Sequence, residues 1–375
     1  MTNYNVVSTD DHVLEPPDLW EKRLPKKFKE DCPHVVRDEG GVDHWIIAGK
    51  DIGNAWSRCA AALPDRTQSI KNWDEVPDIV KEPAARLKAM DQDGVDVHII
   101  FPQITGFGGA TFSGTIGGEE FRLACIQAYN DYLVEEWYGH SHRFVPQCVI
   151  PMWDAEQAAT EVARAAKLGH RALIWSGKPE ALGYPHFADP YWDPLWNTVQ
   201  DLDMMTALHI GGAGVGGLQN TYPGYEPMRR LALISAQAIS SNSLVLANVL
   251  FSGVLERFPG LKMITIESGL GWIPHLLEVC DHQYQQQRLP QLGMAIKPSE
   301  LFKRQCYANF WFEEAGIAMR HLIGVDNILW ESDFPHGTST YPNSKEFIEK
   351  GLKGVPEEER RKMLAENAIR LYHLD

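Results

Sequence analysis

With 375 residues, 44% of them hydrophobic and 10% aromatic, the chain can bury a large core and suits one α/β domain over 1–375 better than two small ones. A formal net charge of −15 argues against a phosphate-backbone partner or an anionic membrane surface, since either needs clustered Lys and Arg. A small-molecule substrate is expected, with no nucleic-acid or membrane partner. Six scattered cysteines without a C-x-x-C pair read as buried thiols of a reducing compartment. The N-terminus has no basic-then-apolar leader and no apolar run reaches membrane-spanning length, so a cytoplasmic protein is expected.

The first apolar run, Asn5-Val6-Val7-Ser8-Thr9, leads into Asp10-Asp11-His12. In an extended strand Asp10 and His12 point one way and Asp11 the other, so the first and third residues can share one ion. An over-long stretch follows, about 15–80, holding His34-Val35-Val36 and His44-Trp45-Ile46-Ile47 around Gly40-Gly41. It reads as a hairpin inserted over a barrel mouth, either a lid or a purely structural cap. Trp45, Trp56 and Trp73 are too many large apolar groups for a solvated loop, which predicts a homodimer or higher homo-oligomer.

From residue 95 onward, short apolar runs alternate with amphipathic stretches. Strands are expected at 95–101, 144–150, 172–175, 205–210, 262–266, 307–312 and 328–330. With the first run the count is eight, which predicts a (β/α)8 TIM barrel with a hairpin or lid inserted between strands one and two. His140-Ser141-His142 and His170 precede their strands and so fall at the amino end of the barrel, away from the expected active-site face. His209 ends strand five before Gly211-Gly212, at the carboxyl end. The segment 212–217 satisfies G-x-G-x-x-G, but it runs into the turn Tyr222-Pro223-Gly224 instead of a helix, so no nucleotide is expected and the segment reads as a flexible active-site loop. The last strand exits through Glu331-Ser332-Asp333-Phe334-Pro335-His336, where Pro335 breaks the ladder. The stretch 357–374 has an apolar helical stripe and reads as core packing.

Asp10, His12, His209 and Asp333 thus all fall at carboxyl ends of strands. They form a nitrogen and oxygen donor set for one divalent ion, zinc first, manganese or iron as alternatives, with a two-ion site as the further alternative. Gln103, Arg171, Trp175 and His336 are candidates to line a substrate pocket, though each could equally be packing.

Five strings occur in order across nearly the whole chain: the D-x-H with its trailing Glu15-Pro16, Asp193-Pro194-Leu195-Trp196, Gly253-Val254-Leu255-Glu256-Arg257-Phe258-Pro259, Asp333-Phe334-Pro335-His336, and Glu366-Asn367-Ala368. In this order they resemble the amidohydrolase-related family of the metal-dependent hydrolase superfamily, whose members include aminocarboxymuconate-semialdehyde decarboxylase. The resemblance implies a (β/α)8 barrel and one catalytic divalent ion held by Asp10, His12, His209 and Asp333. The family often carries a proton-transferring His at the end of strand six. Here Glu267 takes that place, or Ser268 after a one-residue shift. With that His absent, the expected chemistry is hydrolysis of a small organic acid derivative through a metal-bound water, with Asp333, Glu267 and His209 as catalytic groups. Nonoxidative decarboxylation of an aromatic or enoic acid is the alternative, and a noncatalytic ligand-binding barrel is a third class.

Overall fold

The computed structural model describes residues 4–54, 56–106, 110–113, 117–211, 222 and 224–374. The segment 212–217 lies outside them. In chain order the strands are β1 (Val7–His12), β2 (His34–Arg37), β3 (Asp43–Ile47), β4 (Lys50–Asp51), β5 (Val97–Phe101), β6 (Phe144–Cys148), β7 (Ala172–Trp175), β8 (Met205–His209), β9 (Lys262–Ile266), β10 (Cys306–Phe310) and β11 (Ile328–Trp330). Eight of them close into a barrel in the order β1-β11-β10-β9-β8-β7-β6-β5, with every neighbouring pair parallel. Helices cover the outer face and side chains fill the interior, which is why these strands read as continuous apolar runs without alternation. The helix Ala155–Leu168 shows how the crossovers are bounded. The Asp154 carboxylate caps it by accepting from Gln157 N at 2.8 Å, and Gly169, at φ 121°, ends it.

Closure between first and last strands positions the chemistry. Ser8 pairs with Trp330, and beyond β11 the backbone stays paired: Asp333 N donates to Asp10 O at 2.8 Å and His12 N donates to Phe334 O at 2.6 Å. The two strings that carry the expected ligands are therefore zipped side by side although more than 320 residues apart. Asp11 faces the other way, as strand alternation requires. Its carboxylate accepts from Ser332 Oγ at 2.6 Å and Phe334 N at 3.2 Å, tying the turn after β11 to β1.

The inserted stretch forms an antiparallel sheet β2-β3-β4, one strand more than a hairpin. It touches the loop leaving β11: Ala61 N donates to Pro335 O at 3.0 Å, and Arg66 donates to the carbonyls of Gly337 and Ser339 at 3.0 and 3.1 Å. Two of the three tryptophans on which a homo-oligomer was expected are taken up within the chain. Trp45 and Trp56 are wholly buried within the chain, Trp45 against Trp20 with ring centroids 5.3 Å apart, and the Trp56 indole donates to Asp43 Oδ2 at 3.1 Å. A large apolar side chain with a polar tip is satisfied where it has both a core and an acceptor, and the insertion supplies both to Trp56.

The expectation that no apolar run reaches membrane-spanning length needs correction. The helix Pro227–Phe251 is long and apolar enough, by length and composition, to cross a membrane. Here it serves as the crossover between β8 and β9. Val245, Leu246, Val249 and Leu250 are buried in the core, and Asn242 Nδ2 donates to Leu208 O at 3.0 Å and Ile266 O at 3.2 Å, pinning the helix to both strands. Read residue by residue, the apolar run is broken by Ser and Asn, which is why no run of that length was counted in the sequence.

His170 sits where its position before β7 predicted, at the amino end. It is buried, with Nε2 3.0 Å from Asn130 O, and burial pushes its imidazole down to about 4 from 6.5. Below pH 6.5 the unfolded chain therefore takes up a proton that the folded chain refuses, so stability is full above 6.5 and is lost as pH falls towards 4. The span corresponds to about 3 kcal/mol. Replacing His170 by Gln is expected to flatten the fall in unfolding midpoint between pH 6.5 and 4.5. An unchanged slope would show that other groups dominate acid unfolding.

Candidate metal centre

At the carboxyl ends of β1 and β8, two imidazoles and a carboxylate converge. Asp10 Oδ1 lies 3.2 Å from His12 Nε2 and 3.3 Å from His209 Nε2, and His12 Nε2 lies 3.6 Å from Asp333 Oδ1. Asp10, His12 and Asp333 are wholly buried, and His209 nearly so. Each imidazole is aimed by a backbone carbonyl, His12 Nδ1 by Pro102 O at 3.4 Å and His209 Nδ1 by Ile210 O at 2.7 Å. A carbonyl only accepts, so Nδ1 carries the proton and Nε2 turns its lone pair towards Asp10.

This donor set fits a divalent ion. Both Asp10 oxygens are buried without a hydrogen bond among the described residues, a costly arrangement unless a cation sits against them. Ligand atoms about 2.1 Å from one ion stand roughly 3 to 3.4 Å apart, close to the separations observed. The electrostatics agree. Burial, together with nearby His336, pushes His12 down to about 4, so its ring is neutral near pH 7, as a ligand must be.

Two further acids complete the rim. Asp333 and Glu267 both adopt left-handed backbone, at φ 59° and 55°. For residues other than glycine this costs roughly 1–2 kcal/mol each, and the surroundings enforce it. Glu267 N donates to Asn309 Oδ1 and to Glu331 Oε2, both at 3.2 Å. The kink turns Glu267 inward, with Oε2 3.9 Å from His209 Nε2, while Ser268 turns away to accept from Asn242 at 3.2 Å. Of the two residues in question, Glu267 faces the cluster. Burial, then the negative charges of Asp333 and Asp10, push its carboxyl well up.

Asp333 is held on both oxygens. His336 Nδ1 lies 2.7 Å from Oδ1, and Thr338 Oγ1 donates to Oδ2. His336 Nε2 is 2.7 Å from Gln103 Nε2, and Gln103 Oε1 accepts from Arg58 Nη1 at 3.2 Å. Arg58 fixes the amide, the amide donates to Nε2 of His336, and His336 therefore carries its proton on Nδ1, towards Asp333.

The family model described as amidohydrolase covers residues 34–374. The chain belongs to the amidohydrolase family. A gamma-resorcylate decarboxylase from Polaromonas sp. is 26% identical over 332 residues, covering 84% of this chain and 94% of its own length. Among solved structures, an amidohydrolase from Mycobacterium avium subsp. paratuberculosis superposes with a TM-score of 0.78 at 23% identity, covering 99% of this chain and 98% of that one. A dihydroxybenzoic acid decarboxylase from Polaromonas sp., with bound manganese and the inhibitor 2-nitroresorcinol, does so at 0.65 and 18% identity, covering 99% and 98%. This amidohydrolase is thus an enzyme, a metal-dependent hydrolase or carboxy-lyase, with a site for a divalent metal ion and a small-molecule substrate. These relatives favour decarboxylation over the hydrolytic chemistry expected first.

Of the four residues expected to line the substrate pocket, the amidohydrolase brings Gln103 and His336 to the site and leaves two elsewhere. Arg171 lies just before β7, in a cleft with Lys167, His170, Leu202 and His373 at the opposite end of the barrel. Trp175 is wholly buried among Trp192, Trp196 and Phe187, with centroids 4.8, 4.7 and 6.2 Å away, so it faces the flanking elements. Sequence reasoning passed over Thr338, Arg58, Glu331 and Arg86. Glu331 is buried behind Glu267, and Arg86 donates to His12 O at 3.0 Å while its guanidinium stacks 4.2 Å from the Phe334 ring. A Glu two residues before Asp333 was a visible signal. Arg86 offered none, because a surface-type residue in an amphipathic helix looks solvated.

Proposed function

We propose that this enzyme is a metal-dependent nonoxidative decarboxylase acting on a hydroxylated aromatic carboxylic acid. The carrying observation is Asp333, an acid beside the imidazole cluster whose carboxylate is joined through His336 to the partly open mouth, where the His336 side chain is 19% exposed. Decarboxylation consumes one proton per turnover: a C–H bond forms at the ring carbon, the C–C bond to the carboxylate breaks, and its electron pair returns to the ring as carbon dioxide leaves. The site therefore needs a buried acid at the reacting carbon and a route that refills it. Asp333 provides the first, and His336, with its Nδ1 proton aimed at Asp333 and its side chain partly open at the mouth, begins the second. A divalent ion, when bound, polarises the oxygens of the substrate and orients them. Thr338 and His336 hold Asp333 in one orientation, so the carboxyl can meet only a carbon above the cluster.

The names of the relatives support the same substrate class, and the manganese in the Polaromonas structure favours manganese over the zinc expected first from the sequence. With carboxyl-labelled 2,6-dihydroxybenzoate and the manganese-loaded protein in deuterated water, labelled carbon dioxide is expected in step with product carrying one deuterium at the vacated carbon. If a panel of ortho-hydroxybenzoates releases no carbon dioxide while simple esters or amides are cleaved, the hydrolytic reading returns.

A further inference from the structure

We infer that Glu267 is a third carboxylate ligand of the metal ion and biases the site towards manganese(II) or iron(II) at the expense of zinc. This rests on the reading that the cluster binds a divalent ion. Ligand oxygens from Asp10, Glu267 and Asp333 can all lie within 4.8 Å of one another, and Asp10 also shares such a group with His12 and His209. Glu267 belongs to that space by construction. Its left-handed backbone is held by Asn309 and Glu331, Asn309 Nδ2 being itself anchored to Thr9 Oγ1 at 3.2 Å. Among the described residues no side chain donates a hydrogen bond to the Glu267 carboxylate, and no Lys or Arg lies within ion-pair distance of it, of Asp10 or of Asp333. The independent sign that a cation is the partner is Asp10, wholly buried with neither oxygen hydrogen-bonded among the described residues.

The selectivity follows from donor number and type. Asp10, His12, His209 and Asp333 already supply the four nitrogen and oxygen donors that zinc prefers in a tetrahedron. A fifth donor adds little to a four-coordinate ion. Manganese(II) and iron(II) accept six ligands and favour carboxylate oxygen, so two imidazoles and three carboxylates suit them while one position stays open for substrate. Zinc outranks manganese in raw affinity for most sites, and Glu267 would narrow that gap.

The test is equilibrium binding of manganese(II) and of zinc(II), each alone, to metal-stripped full-length protein. Glu267→Gln is expected to weaken manganese at least tenfold and zinc less than threefold. Should the Gln variant not fold, Glu267→Asp, which keeps the charge, tolerates left-handed backbone and withdraws the oxygen by one methylene, should show the same divergence. Equal weakening of both ions, or no change in either, would overturn the role of Glu267 while leaving the metal reading intact. Wild-type protein that binds neither ion would overturn both.

Discussion

Replacing His209 by Ala is expected to reduce bound divalent metal from about one ion per chain to less than a tenth and to abolish measurable turnover. His209 offers one of two imidazole nitrogen donors in a cluster otherwise made of carboxylates, and its Nε2 lies 3.3 Å from Asp10. Disturbing a group that merely orients a ligand typically costs about 10–100-fold in metal affinity, so deleting the donor itself should cost more. The fold should survive. His209 stands at the end of β8, and the strand pairs through its backbone to Ile266 whatever side chain it carries. Elemental analysis after gel filtration, beside circular dichroism, separates the outcomes: full metal occupancy in a folded His209→Ala protein removes His209 from the ligand set.

The Asp333→Asn change should lower turnover about 10²- to 10⁴-fold at saturating metal, the range that a positioned acid or base contributes. Asn keeps an oxygen that can face the ion and can still accept from His336 or Thr338, both of which hold Asp333 now. It cannot carry the proton. Metal binding should therefore weaken, and excess metal should restore occupancy without restoring rate. A folded, metal-saturated Asp333→Asn protein within tenfold of wild-type turnover would move the acid role to another group. Loss of rate that vanishes at high metal would make Asp333 a ligand alone.

Much of the site was legible because strand ends are local features. The D-x-H after Val6-Val7 needs only the two-residue strand period to place Asp10 and His12 on one face and Asp11 on the other, and Asp11 is found bonded to Ser332 on that opposite side. The same position rule that set aside His140 and His170 applied equally to Arg171, which precedes its strand by one residue and lies at the amino end. Trp175 could not be assigned that way. Inside a barrel both faces of a strand are apolar, so Ala172-Leu173-Ile174-Trp175 carries no polar alternation to show which side chains point inward.

Glu267 marks the limit from the other side. Strand periodicity leaves Glu267 and Ser268 as alternatives, because a single residue in left-handed backbone ends the alternation and no residue type announces it in a Glu. The kink depends on Asn309, 42 positions on, and Glu331, 64 positions on.

By itself the sequence determined the eight-strand count, the insertion after the first strand and the four donors at strand ends, since each follows from local hydropathy and backbone geometry. The tertiary structure alone decided that these donors meet around Asp10, that Glu267 faces them, that Arg86 lies under His12, and that Trp45 and Trp56 are buried within the chain. Those outcomes depend on barrel closure and on contacts between residues tens to hundreds apart, whose partners no local period can specify.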